Sequence, residues 1–90
     1  MSYTLFDKRG PVHYIGSIGG MNDLLDFVAK QRTSGPLKEF LDRGKTRDMQ
    51  GVIGEITALI PYCNNASVKI TLLELKGGLA KSKGVAIISD

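Results

Sequence analysis

Hydrophobic residues near the start of the chain fall in two short runs that favour β-strands. Residues 3–7 and 12–15 are rich in aromatic and β-branched side chains, and the residues between them, Lys8 to Pro11, include a glycine. Such side chains suit the pleated surface of a sheet, and a short loop with a glycine often joins antiparallel strands. The pattern therefore predicts a β-hairpin.

A helical pattern follows the glycine-rich residues 16–20, which we interpret as a break between strand and helix. From Met21 to Val28 the apolar residues recur at the spacing of an amphipathic helix. Asn22 is a suitable N-cap, and Lys30 and Arg32 place positive charge in the last turn. These features predict a helix over residues 22–32.

A second, short helix is predicted between Pro36 and Gly44. Ser34 and Gly35 can cap it, Pro36 suits the first helical position, and a glycine is favoured just past the end. Its apolar stripe is narrow and consists of Leu37, Phe40 and Leu41.

The third predicted helix has the strongest periodic pattern in the chain. Thr46 can cap it, and apolar residues recur at short helical steps until Pro61 forbids continuation. The helix contains Gly51 and Gly54, each of which costs up to about 1 kcal/mol relative to alanine. We expect these glycines to allow a close approach of the helix to the sheet. The apolar positions are Met49, Val52, Ile53, Ile56, Leu59 and Ile60.

Two further strands are predicted in the last part of the chain. Residues 68–72 alternate between apolar and polar side chains, which is the period of a strand, and Leu73 interrupts the alternation. We predict a strand over residues 68–75 and a loop over the glycine-containing residues 77–84. Residues 85–88 are apolar on both faces of a strand, which favours an interior position in the sheet.

The predicted order of elements is ββαααββ. Because each hairpin pairs locally, the simplest arrangement is a four-stranded, mostly antiparallel sheet with three helices packed on one face. The composition, 42% hydrophobic and 23% charged, is close to a globular average and far from that of disordered chains. We therefore predict a single α+β domain over residues 1–90.

Cysteine content and charge bear on location and partners. Cys63 is the only cysteine, so no intramolecular disulfide can form, whereas small secreted domains often depend on disulfides. The first seven residues lack the pattern of a secretory signal, and no window is long enough to cross a bilayer. We therefore expect a cytoplasmic protein without membrane contact. The net charge of +3 permits an acidic partner without requiring one.

Residues with catalytic or metal-binding chemistry are sparse. His13 and Cys63 each occur once, which argues against an ordinary zinc site, and no spacing specifies a pair of carboxylates. A Cys–His nucleophilic pair would need the hairpin to meet the end of the third helix. We expect His13 to point outward from its strand and Cys63 to be a small buried residue. The sequence thus predicts no metal, no cofactor and no enzymatic activity.

Two short stretches resemble phosphate-binding motifs. Gly44, Lys45 and Thr46 match the end of a P-loop, but Glu39 stands where that motif requires its first glycine. We interpret this tripeptide as a helix C-cap followed by an N-cap.

The other stretch is an anion loop formed by Gly16, Gly19 and Gly20, where backbone N–H groups at a strand–helix junction could hold an anion. Asp23 and Asp26 would repel the anion, so a tight connection is the preferred interpretation.

Basic residues gather in three predicted loops, and they are the main candidates for contact with an anionic partner. The first group is Lys8 and Arg9, the second is Arg43, Lys45 and Arg47, and the third is Lys76, Lys81 and Lys83. Whether the groups converge depends on the strand order. The candidate contacts are Arg43, Lys45, Arg47, Lys81 and Lys83.

The leading functional hypothesis is a protein–protein interaction or regulatory module, with a second copy of the chain as one partner. Three amphipathic helices and an apolar last strand offer more apolar surface than one thin sheet absorbs, and such a surplus commonly marks an interface. The alternative is binding of nucleic acid or another anionic ligand through the basic loops, with affinity that falls steeply with salt.

Overall fold

Four strands and four α-helices form from residues 2–31 and 35–89, the part of the chain that the computed structural model describes. The strands are β1 (Ser2–Asp7), β2 (Gly10–Ser17), β3 (Lys45–Thr46) and β4 (Ala86–Ser89). The helices are α1 (Ile18–Lys30), α2 (Pro36–Arg43), α3 (Met49–Leu59) and α4 (Ala66–Lys81), with a 3₁₀ turn at Ile60–Tyr62. The strand order is β2-β1-β4-β3, and every neighbouring pair is antiparallel.

The predicted α+β class, the amino-terminal hairpin and the antiparallel four-stranded sheet are confirmed. The last strand is also interior as predicted, because β4 lies between β1 and β3. The order of elements differs from ββαααββ: it is ββααβααβ, since a two-residue strand follows α2 and a fourth helix replaces a predicted strand.

The predicted strand over residues 68–75 is wrong, because this segment lies inside α4. Asn65 begins the helix as its N-cap, and its side-chain oxygen accepts from Ser67 N at 2.9 Å. Ile70, one of the apolar positions in that alternation, is 61% exposed. The predicted loop over residues 77–84 is also wrong in its first part, since α4 continues to Lys81. The buried residues of α4 follow the helical period and are Val68, Thr71, Leu72, Leu75, Gly78 and Leu79.

Helix α1 begins four residues earlier than predicted, and its N-cap is Ser17 rather than Asn22. The Ser17 hydroxyl accepts from Gly20 N at 3.2 Å, so the supposed break at residues 16–20 includes the first helical turn. The predicted end at Arg32 lies outside the described residues.

Helices α2 and α3 lie close to their predicted positions. Pro36 begins α2, and Gly44 ends it in the left-handed conformation with φ 74°. The predicted cap residue Ser34 lies outside the described residues. Helix α3 is capped by Asp48, whose carboxylate accepts from Gly51 N at 3.0 Å, whereas Thr46 belongs to β3.

The glycine that permits close packing on the sheet lies in α4, not in α3 as predicted. A Cβ atom at Gly78 would lie 2.7 Å from Leu5 Cδ2 and 3.1 Å from His13 Cβ. By contrast, a Cβ at Gly54 would meet open space, and one at Gly51 would meet only the side chain of Asp48. Close approach to the sheet therefore explains neither glycine of α3.

The core lies between one face of the sheet and the helices. Leu5, Ile15 and Ala86 supply the sheet side, and the largest fully buried side chain is Phe40 of α2. The remaining buried apolar residues are Met21, Leu24, Val28, Leu37, Val52, Ile56, Val68, Leu72, Leu75 and Leu79.

Candidate binding surface at the basic end of the sheet

Strand directions bring the basic loops to one end of the sheet. β1 and β3 both pair antiparallel with β4, so they run in the same direction and finish at the same end. The Lys8–Arg9 turn follows β1, Arg47 follows β3, and Lys83 precedes β4. Neighbouring strands lie about 4.8 Å apart, so β1 and β3 are separated by only about 10 Å. We call this region, with the two grooves described below, the basic end.

The first groove lies at the edge of the sheet beside β3, and we call it the β3 groove. It encloses about 360 Å³. Three cationic side chains line it, and no carboxylate does so among the residues that the structure describes. Gly44, which precedes β3, is bonded to both neighbouring elements. Its N–H donates to Phe40 O of α2, and its carbonyl oxygen accepts from Ile88 N of β4, both at 2.7 Å. The lining residues are Arg43, Lys45, Thr46, Arg47, Val85 and Ile87.

The second groove lies between the hairpin and the end of α4, and we call it the α4 groove. Its volume is about 580 Å³, and Arg9, Lys81 and Lys83 line it together with Asp7. Lys83 of this groove and Val85 of the β3 groove are two residues apart in the chain. The structure thus places three of the five predicted contacts in one groove and two in the other. Lys76 lines neither groove.

Asp7 organises the α4 groove, although its charge is already compensated. Its side chain is 0% exposed. It accepts from Arg9 Nη2 at 2.6 Å, from Arg9 N at 2.8 Å and from Lys83 N at 3.1 Å. Arg9 Nη2 also donates to Lys81 O at 2.9 Å. These bonds fasten the hairpin turn to the segment after α4, so they position both Arg9 and Lys83.

Acid should weaken this attachment. Hydrogen bonds from the Arg9 side chain and backbone lower the pKa of Asp7 from 3.8 to about 2. A carboxyl group whose pKa is lowered on folding contributes stability above its unfolded value, and that stability is lost as the pH falls towards the folded value. We expect the stability difference between wild type and Asp7→Asn to shrink as the pH falls from about 4 to about 2. Urea denaturation at a series of pH values measures it, and a constant difference would contradict this assignment.

His13 faces α4 rather than pointing outward as predicted. It pairs with the buried Leu5, so the two side chains share the helix-covered face. Its Nε2 lies 2.7 Å from Glu74 Oε2, and Lys81 Nζ lies 3.3 Å from its Nδ1. Because an ammonium group can only donate, Nδ1 accepts and Nε2 donates to Glu74 in this arrangement. The cluster joins β2 to α4.

A Cys–His pair is not formed. Cys63 precedes the first turn of α4, whereas His13 packs at Gly77 and Gly78 near its other end. At 1.5 Å per residue, that length of helix separates them by roughly 18 Å. Cys63 is half-buried against the core and donates to Asn65 O at 3.4 Å.

The predicted anion loop is divided between two elements. Gly16 belongs to β2, and Gly19 and Gly20 belong to the first turn of α1, where the Gly20 N–H is bound by Ser17. Anion binding there stays a prediction.

Within residues 2–31 and 35–89, no group of three or more histidine, cysteine or acidic side chains could hold a metal ion. No helix in these ranges combines the length and apolar character needed to cross a membrane. No protein-family model, curated protein or solved structure matches the chain.

Proposed function

We propose that this protein binds nucleic acid at the basic end of its sheet. The proposal depends on the β3 groove. Arg43, Lys45 and Arg47 line this cavity, and none of the described carboxylates does. Arginine and lysine are the side chains that bind phosphate oxygens, and repeated phosphate contacts dominate the affinity of proteins for nucleic acid.

The arrangement of the cations favours a polymer over a small anion. Two grooves lie at the same end of the sheet, and their cationic side chains come from different elements of the fold. A single phosphate could contact only a few of them, whereas a nucleic acid presents phosphates at regular intervals along the whole surface. Asp7 is the one carboxylate that lines either groove among residues 2–31 and 35–89. It accepts hydrogen bonds from Arg9 and from Lys83 N, so it presents little free negative charge.

The test is the salt dependence of binding to labelled oligonucleotides, measured by fluorescence anisotropy. We expect the logarithm of the association constant to fall linearly with the logarithm of salt, with a slope of about 0.7 to 0.9 per phosphate contact. Lys69→Gln is the matched control, because Lys69 is exposed and lines neither groove. Absence of binding at low salt, or affinity that does not respond to salt, would refute the proposal.

Self-association is a second candidate, and the exposed apolar residues of α4 favour it. Ile70 and Leu73 are 61% and 47% exposed and lie three residues apart, so they share one face of the helix. A symmetric dimer would bury this pair against its counterpart. Light scattering over a concentration series tests the idea. We expect the wild type to form a dimer, and we expect the double variant Ile70→Ser, Leu73→Ser to be a monomer. A wild-type protein that is monomeric at every concentration would exclude self-association.

A further inference from the structure

A row of side chains crosses the sheet on the face opposite the helices. Phe6 of β1 pairs with Ile87 of β4, and Ile87 pairs with Lys45 of β3. Directly paired residues project from the same side of a sheet. The row therefore crosses β1 and β4 to the edge strand β3, where it ends in a cation.

This face points away from the core. Leu5 and Asp7 alternate with Phe6 along β1, and both are buried on the helix side. Phe6 is itself partly buried, but it is not among the residues that pack against the core. Tyr14 pairs with Thr4, which lies on the same side of β1 as Phe6, and it is 57% exposed. The face thus presents two aromatic rings away from the helices.

The open face and the β3 groove are continuous. Lys45 and Ile87 belong both to the cross-strand row and to the lining of the groove. A ligand bound on the open face can therefore also contact Arg43 and Arg47 in the β3 groove. Aromatic rings beside a track of cations match a ligand that combines planar bases with phosphates. A second copy of this chain fits less well, because it would bring the same positive charges to the same place.

We infer that the ligand is single-stranded nucleic acid, with bases stacked on Phe6 and Tyr14 and phosphates held in the β3 groove. This inference rests on the proposed function and narrows it to one ligand class. The bases of a duplex are stacked on one another, so only an unpaired strand can place them on the aromatic rings. From Tyr14 on β2 to Lys45 on β3, the open face spans three strand intervals, about 14 Å. Sheets of four strands stack two or three bases.

The absence of tryptophan from the chain allows a direct test. In a Tyr14→Trp variant, the single indole lies on the open face, and we expect a single-stranded oligonucleotide to quench its emission. Tyr62→Trp is the matched control, because Tyr62 is 74% exposed but lines a separate cavity between α1 and α4. Its emission should not change. In parallel, Phe6→Leu should weaken single-strand binding about tenfold, since it removes the ring and keeps an apolar side chain.

The possible outcomes separate the two proposals. Equal affinity for single strand and duplex, with no quenching of the Tyr14→Trp variant, would overturn the stacking inference and leave binding at the basic end intact. Failure of both nucleic acid forms to bind would overturn both. A third outcome is that the indole emission of the Tyr14→Trp variant depends on protein concentration when no nucleic acid is present. That result would identify a second copy of the chain as the ligand of the open face, and it would also overturn the inference.

Discussion

Replacing Arg43, Lys45 and Arg47 together by glutamine is expected to weaken oligonucleotide binding roughly a hundredfold at about 0.1 M salt. All three side chains are exposed and line the β3 groove, so the variant removes three phosphate contacts. At about 0.7 per contact for a single strand, the slope of affinity against salt should fall by about 2. Anisotropy titrations at several salt concentrations measure both quantities.

Two controls make that result interpretable. Lys69→Gln should bind like the wild type, because it lowers the net charge without touching either groove. The triple variant should also remain folded, because an exposed substitution usually changes the free energy of unfolding by no more than about 0.5 kcal/mol. An unchanged salt slope in the triple variant would place the contacts elsewhere on the molecule.

Replacing Gly78 by alanine should destabilise the protein by about 1 to 3 kcal/mol. The added methyl group would lie 2.7 Å from Leu5 Cδ2, and Leu5 is fully buried, so the core or α4 must shift. The same substitution at Gly54 should instead stabilise α3 by up to about 1 kcal/mol, because its Cβ meets open space and alanine favours the helix.

Urea denaturation followed by circular dichroism measures both changes. The pair is matched in chemistry, since each variant exchanges a helical glycine for alanine, and it differs only in the surroundings of the new methyl group. Equal stabilisation of both variants would show that α4 does not approach the sheet as closely as described.

Local signals were sufficient for some elements of this fold. The amino-terminal hairpin and α2 could be predicted because each is specified by a few neighbouring residues: a glycine-containing turn in one, and Pro36 with Gly44 in the other. The period of α3 was equally clear, although its cap proved to be Asp48.

Helix α4 was not predicted, because apolar and polar residues happen to alternate in its first half. Residues 68–72 fit the period of a strand, but over so short a stretch they also fit a helix, and only contacts with other elements decide between the two. Gly77 and Gly78 added to the error because glycine is a usual sign of a loop. Here Gly78 is required by the proximity of Leu5, a contact that no local pattern reveals.

The candidate site could be predicted in composition but not in geometry. The clustering of Arg43, Lys45 and Arg47 is visible in the sequence, whereas the convergence of the loops depends on the strand order. A strand as short as β3 has no period to detect. Phe6 and Tyr14 become candidates only when the helix-covered face is known, since alternation along a strand does not tell which side is covered.

The basic end of the sheet can form only after β1 has paired with β4. Thr4 pairs with Ser89, so the first and last strands of the chain must meet before the sheet is complete, and contacts between distant parts of a chain form slowly. Until β4 inserts, β3 lacks the strand with which it pairs, and the two grooves cannot come together at one end of the sheet. A nucleic acid bound across them would engage only the completed sheet, so by mass action it would favour the folded chain over the unfolded one.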